Sequence, residues 1–207
     1  MNRRLHAVAS LVDGHSIIDI GCDHGYLSIY LTKQGINCLA TDISSKCIDK
    51  AKNNFKSEHL RIDTKVTDGL NGIDTSNYDT IIISGMGTHT ILNILKDKKL
   101  TDTLIISSNN NIDTLRKEIV NLGYYIDNEL YIKEHNQKYI IIRFKKGTKE
   151  YNDIDYLFGP ILKNNAIYIN DLIKEYTSII DNIGSSDPKR TMQLSKYIEI
   201  LNKYNNY

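Results

Sequence analysis

Residues 16–31 read SIIDIGCDHGYLSIYL, and the fold is decided there. Ser16 to Ile20 is a short apolar run, Gly21 to Gly25 is a loop bracketed by glycines, and Leu27, Tyr30 and Leu31 recur at helical spacing. That is a strand, a tight turn and a helix. Upstream, Leu5, Val8, Ala9 and Val12 share one helix face, which the spacing predicts to stop at Asp13-Gly14 with the glycine as a left-handed cap. Downstream the unit repeats. Residues 37–42 read as a strand, and Ser44 to Phe55 as a helix with Ser44 as its N-cap. Further strands are predicted over 61–66, 80–84 and 103–107, with helices starting at Thr90 and passing through Leu115, Ile119 and Leu122. Alternating apolar strands and amphipathic helices require a parallel sheet covered on both faces.

The pattern then changes. Residues 124–133 and 139–144 are predicted as two strands joined by a polar turn, an antiparallel pair at the sheet edge. Past Gly147, Ile169, Leu172, Ile173, Tyr176, Ile179, Ile180 and Ile183 mark a long amphipathic helix. Gly184 to Pro188 break it, and Leu194, Tyr197, Ile198 and Leu201 form a second stripe. The expectation is a Rossmann-like α/β domain over 1–147 with a mostly parallel seven-stranded sheet, and a C-terminal α-helical hairpin over 148–207.

The chain has 207 residues, 41% hydrophobic and 25% charged, which excludes wholesale disorder and fibrous repeats. Its 26 basic against 25 acidic residues leave +1, so no overall basic field marks a nucleic-acid or membrane partner. Cys22, Cys38 and Cys47 have no CxxC spacing, which argues against a disulfide framework or a zinc site and for a reducing, cytoplasmic compartment. The opening residues lack the long apolar run of a signal peptide or membrane span. Expectations are therefore a soluble protein with no membrane or metal partner, and a monomer.

In open parallel sheets, ligands bind beyond the carboxyl ends of the strands. Those ends carry Asp19-x-Gly21-x-Asp23-x-Gly25, Asp42, Asp68-Gly69 and Gly85-Met86-Gly87. Asp42 follows Gly21 by the spacing at which a carboxylate reaches ribose hydroxyls, so an adenosine-containing cofactor is indicated. Asp23 and Tyr26 stand where a dinucleotide fingerprint needs glycines, and an acid would repel a pyrophosphate. S-adenosylmethionine has no phosphate but carries a sulfonium and an ammonium, for which Asp19 and Asp23 are favourable neighbours. Asp68 is placed to accept from the adenine amino group. The blander readings are Asp42 as a helix cap and Asp68-Gly69 as a turn.

On these residues the chain resembles the bacterial tRNA (adenine(22)-N1)-methyltransferase family, TrmK. The resemblance rests on Arg4-Leu5 and the helix to Val12, Asp19 to Leu27, Asp68-Gly69-Leu70, Gly85-Met86-Gly87 and Phe158-Gly159-Pro160. It implies a class I methyltransferase domain with a helical tail, methylating N1 of adenine 22 in the D-arm region of tRNA. It assigns the cofactor to Asp19, Gly21, Cys22, Asp23, Asp42, Ile43, Asp68, Gly69 and Gly85. Catalysis falls to Asp23 and Tyr26, and substrate binding to His24, Tyr26, Gly85, Met86, Gly87, Arg3 and Arg4. The chain departs from the family pattern at Thr88, which stands for the second glycine of GMGG, and at Gly25, Ser28 and Asp42, and Thr88 bears on the path of the base-facing loop.

Methyl transfer to N1 is an in-line displacement that chiefly needs positioning. Positive charge grows on the base, which Asp23 or the carbonyls of Gly85 to Gly87 would stabilise. The base must be unpaired or extruded, and Tyr26, His24 and Met86 are candidates to wall it in. Tyr26 as a loop-packing aromatic and His24 as a structural residue are the alternatives. Arg3, Arg4, Lys33, Lys138, Lys145, Lys146, Lys189 and Arg190 are the basic side chains available for RNA. Two rival functions share the cofactor reading: a methyltransferase for a small metabolite, and a non-catalytic RNA-binding adaptor.

Overall fold

The computed structural model describes residues 2–135, 137–184 and 186–205. Two compact units are present, Met1–Glu150 and Tyr151–Tyr207. Asn136 in the predicted polar turn and Ser185 in the predicted helix break lie outside the described residues.

The first unit runs α1 (Arg3–Ser10), β1 (Ser16–Ile20), α2 (Tyr26–Lys33), β2 (Asn37–Asp42), α3 (Ser45–Ser57), β3 (Asp63–Val66), β4 (Thr80–Met86), α4 (Thr88–Leu95), β5 (Thr103–Ser108), α5 (Ile112–Asn121), β6 (Tyr124–Glu134) and β7 (Gln137–Lys146). The sheet order is β3-β2-β1-β4-β5-β7-β6. β1 to β5 are parallel, and β7 is antiparallel to both β5 and β6. The predicted antiparallel pair exists, but β7 lies inside the sheet and only β6 of the two is an edge strand, opposite β3 at the other edge.

Ile17 and Ile18 of β1, Ile81 to Ile83 of β4 and Leu104 to Ile106 of β5 are buried, as strands covered on both faces must be. One face is closed by Ala7, Val8, Leu11, Leu27 and Leu31 and continues over β2 under Ile29, Ile48, Ala51 and Phe55, since Cys38 of the first cluster and Ala40 of the second lie two apart on that strand. Arg116 of α5 and Glu129 of β6 form a fully buried ion pair at 2.8 Å.

Several element ends differ from expectation for local reasons. α1 ends at Ser10, and Gly14 is not its left-handed cap. A Cβ on Gly14 would stand 2.7 Å from that of Asp79, whose carboxylate accepts from the N–H groups of His15 and Ser16. Glycine is there for close approach. β3 starts at Asp63, where its pairing with Leu39 begins, and α4 starts two residues early, at Thr88.

The second unit comprises α6 (Asp153–Phe158), α7 (Ala166–Ile183) and α8 (Pro188–Asn205). α6 opens with a capping box between Asn152 and Asp155. α7 and α8 pair across a seam of Ile169, Leu172, Tyr176, Tyr197 and Leu201, against which Phe158 packs. Pro188 occupies the first helical position of α8. Among the described residues no helix is long and apolar enough to cross a membrane.

Candidate functional site

The parallel register brings the ends of β1, β2 and β4 level, since Ile20 pairs with both Thr41 and Ile83. Chain order reverses between β1 and β4, so the loops after these strands flank a crevice.

The loop after β1 is held rather than free. Gly21 and Gly25 adopt φ +75° and +73°, and Asp23 adopts +49°. The N–H groups of Gly21 and Cys22 both donate to the Thr41 carbonyl at 2.9 Å, and that of Gly25 to the Cys22 carbonyl at 2.7 Å. The φ of Gly21 disfavours any L side chain, and a Cβ there would also run into the end of the Met86 side chain. Loop one and the Gly85-Met86-Gly87 loop are thus in contact.

Asp42 ties the first two strand ends together. One of its oxygens accepts the Asp23 N–H at 3.2 Å and the other the Ser44 N–H at 2.8 Å. Ser44 caps α3 through the Cys47 N–H, so Asp42 is not the helix cap. Each carboxylate oxygen keeps a second acceptor site. Ile43, next in sequence to Asp42, is 69% exposed, and Val66, the in-register partner of Asp42 on β3, is 51% exposed. Two bare apolar side chains at adjacent strand ends make a surface for a flat ring. Val66 was not singled out from the sequence, where nothing distinguishes it from an ordinary strand residue.

Asp19 lies below this rim, buried, with the Ser28 hydroxyl donating to it at 2.8 Å. Burial pushes its carboxyl up to about 6, against the Ser28 bond, which lowers it, and with the nearby Asp42 charge adding to the rise. Cys22 is buried too, and desolvation with the surrounding acids raises its thiol far above the ordinary range. That removes it as a nucleophile. Gly69 turns with φ +55°, and Asp68 lines a separate cleft of about 270 Å³ with Thr90, Asn93 and Lys98.

Tyr26, the first residue of α2, is 52% exposed and stacks on the His24 ring, centroids 5.7 Å apart at 17°. One side of the ring thus packs on the loop while about half of the residue stays open to solvent. His24 is anchored by its carbonyl, which accepts from the Asn54 amide, and its ring approaches Asp23 at 3.7 Å. Gly85 has φ +92°, and its carbonyl accepts from the Asn109 amide at 2.9 Å. The Met86 carbonyl accepts the Asn109 N–H and the Gly87 carbonyl that of Ile91. Thr88 is buried and fixes this loop to the end of β5, donating to the Asn110 carbonyl at 2.6 Å while its own N–H donates to the Asn110 side chain. In the sequence Asn109 and Asn110 carry no signal beyond a residue type that favours turns.

Of the candidate cations, Lys33, Lys145 and Lys146 are paired with Glu58, Asp13 and Asp102. Arg4 stands against Gly85 and over Tyr139, whereas the structure gives Arg3 a backbone bond to Glu134. Among the described residues no group of His, Cys, Asp or Glu could hold a metal ion.

Residues 1–142 match the family model described as a methyltransferase domain. The structure of M. capricolum TrmK in complex with S-adenosylhomocysteine is 30% identical to this chain, covers 100% of it and 98% of its own length, and superposes with a TM-score of 0.85. The chain belongs to the TrmK methyltransferase family. The B. subtilis TrmK structure, 24% identical with a TM-score of 0.81 over 99% of this chain and 98% of that one, shares the fold. The ribosomal protein L11 methyltransferase of Thermosipho melanesiensis is 30% identical over only 60% of this chain and 43% of its own. Likeness to TrmK therefore extends through the helical unit, where the L11 enzyme's likeness covers much less of the chain.

Proposed function

We propose that the protein transfers a methyl group from S-adenosylmethionine to N1 of adenine 22 in tRNA. The observation that carries this reading is the whole-length likeness to TrmK, helical unit included, combined with a strand-end rim built for an adenosine-bearing cation. A metabolite methyltransferase needs no such tail, and an adaptor needs no such rim.

The residues present suit the donor. Asp42 has acceptor sites left for ribose hydroxyls, Ile43 and Val66 offer the ring surface, and the side-chain-free Gly21 and Gly85 let backbone approach closely. Asp19 sets a negative charge below the rim, and Cys22 and Gly69 shape its walls. Asp68 borders its own cleft and serves the adenine side through the turn that it opens. The bound donor supplies an electrophilic methyl on a sulfonium, which needs no acid or base to leave.

The chain's work is then to hold the base and steady the charge growing on it. Tyr26 and His24 form an exposed stacking platform, with Met86 as the opposing wall. The carbonyls of Gly85, Met86 and Gly87 each already accept one bond, from Asn109 or Ile91, and the Asp23 carboxylate carries a full charge, so Asp23 is the stronger electrostatic group. Arg4, which stands against Gly85, and its neighbour Arg3 on α1 are the cations offered to the RNA. Nucleoside mass spectrometry of unmodified tRNA treated with the protein and donor tests the reading. 1-Methyladenosine at position 22 is expected, and methylation only of small metabolites, or none, would overturn it.

A further inference from the structure

The loop after β4 borders a cleft of about 380 Å³, lined by Arg4, Gly85, Asn109, Gln137, Lys138 and Tyr139. Arg4 is its half-buried cation. Its guanidinium lies 5.3 Å from the centre of the Tyr139 ring, and Nη1 would stand 3.1 Å from a Cβ on Gly85. Among the described residues, no carboxylate lies within ion-pair distance of it. The nearest candidate, Glu134, is used otherwise: its two oxygens accept the backbone N–H groups of Arg3 and Arg4 at 2.8 and 3.5 Å. Those contacts hold its carboxyl below the usual range.

The same arrangement excludes the helix end itself as the binding element. Glu134 and the Asn2 side chain, which accepts from the Leu5 N–H, already serve the first amides of α1. What is left facing the cleft is the guanidinium, a planar fork of N–H donors braced on an aromatic ring. Arg143, by contrast, is closed by Asp127 at 2.6 Å. A guanidinium braced on a ring and facing an open cleft keeps its N–H donors available to an oxyanion.

We propose that Arg4 is the receptor for an oxyanion in this cleft, with Tyr139 as its brace and Gly85 and Asn109 as further lining. The inference rests on the methyltransferase reading, under which two oxyanions reach the loop after β4: the carboxylate of the donor's methionine part and a phosphate flanking the target adenine. It also separates the adjacent arginines, since Arg3 has no place in the cleft.

Calorimetric titration of the wild type, Arg4→Ala and Arg4→Lys with S-adenosylmethionine and with its decarboxylated form tests the first source. If the carboxylate is held, Arg4→Ala weakens the intact donor by about 10- to 100-fold and leaves the decarboxylated form unchanged. For the second source, the three proteins methylate tRNA carrying either natural or neutral methylphosphonate linkages beside position 22, at saturating donor. If a phosphate is held, donor binding is unchanged, and neutral linkages cost the wild type about 10- to 100-fold in kcat/KM but cost Arg4→Ala nothing further. Arg4→Lys, keeping the charge without the fork, falls between and stands in should the alanine variant not fold. Donor affinity and linkage sensitivity both within about two-fold of wild type in the variants would overturn the proposal. A wild-type protein that binds donor but methylates no tRNA would instead refute the functional reading, and the titration arm would still decide the role of Arg4.

Discussion

The Asp42 carboxylate accepts the backbone N–H of Asp23 at 3.2 Å, so the acid that ends β2 also sets the path of the loop that ends β1. Its second oxygen accepts from Ser44. Removing it strips two loop amides of their acceptor and the donor site of its ribose partner. Asp42→Ala is expected to weaken donor binding by about 10- to 100-fold and to cost about 1–3 kcal/mol of stability. Asp42→Asn, which retains one acceptor oxygen, should lose similar affinity with less loss of stability. Calorimetry and thermal unfolding separate the two effects, and unchanged donor affinity in both variants would remove Asp42 from the binding rim.

Gly21 and Met86 occupy what would otherwise be a single volume. A Cβ on Gly21 would meet the Met86 methyl at 2.4 Å, and its φ of +75° disfavours any L side chain. Gly21→Ala should destabilise the protein by about 1–3 kcal/mol. Met86→Ala in the same chain opens the space but leaves the backbone strain. The double variant is therefore expected to regain part of the lost stability and little donor affinity. Full recovery of both would mean that packing alone requires the glycine.

The strands that build the rim were readable because they are buried on both faces, which leaves uninterrupted apolar runs such as Ile81 to Ile83, and the glycines and acids ending them mark the loops. What was not readable depends on partners distant in sequence. Arg4 over Tyr139, Thr88 bound to Asn110 and the engagement of the Gly85 carbonyl by Asn109 leave no periodic trace. Nor does Val66, whose exposure follows from its position at the end of a short edge strand.

Asp19 makes stability and function pull in opposite directions. Its folded value of about 6 exceeds the ordinary 3.8, so the native state holds a proton that the unfolded chain releases between those values. Its contribution is complete below the lower value and is lost as pH rises through the upper one, a difference of about 2–3 kcal/mol. Glu134 and Asp79, whose carboxyls are lowered, contribute with the opposite sign, so the comparison must be with Asp19→Asn. The variant is expected to be more stable than wild type at pH 7.5, with the advantage fading toward pH 4 by about that amount. It should also bind the cationic donor more weakly at neutral pH. Urea unfolding at several pH values reads the first effect and calorimetry the second.

The proposed role of Asp23 grows with the charge on the acceptor base. Asp23→Asn removes the negative charge but keeps the backbone N–H that reaches Asp42. Turnover should therefore fall by about 10- to 1,000-fold while tRNA affinity changes little. Single-turnover kinetics at saturating tRNA and donor isolate this step. A loss confined to binding would return the electrostatic role to other groups near Gly85.

Thr88 replaces a glycine of the family pattern, and the structure gives the hydroxyl specific work. Its side chain lies 2.9 Å from the Ser108 hydroxyl and donates to the Asn110 carbonyl, joining the start of α4 to the end of β5 while Asn109 holds Gly85. Thr88→Gly restores the family residue but leaves buried polar groups without their partner and lowers helix propensity at the first position of α4. A cost of about 1–3 kcal/mol is expected, with faster amide exchange at Asn109 and Asn110. Thr88→Ser keeps the hydroxyl and should retain most of the stability and the slow exchange. If glycine were tolerated as well as serine, the loop would owe its path to backbone bonds such as Asn109 N–H to the Met86 carbonyl, and the hydroxyl would be incidental.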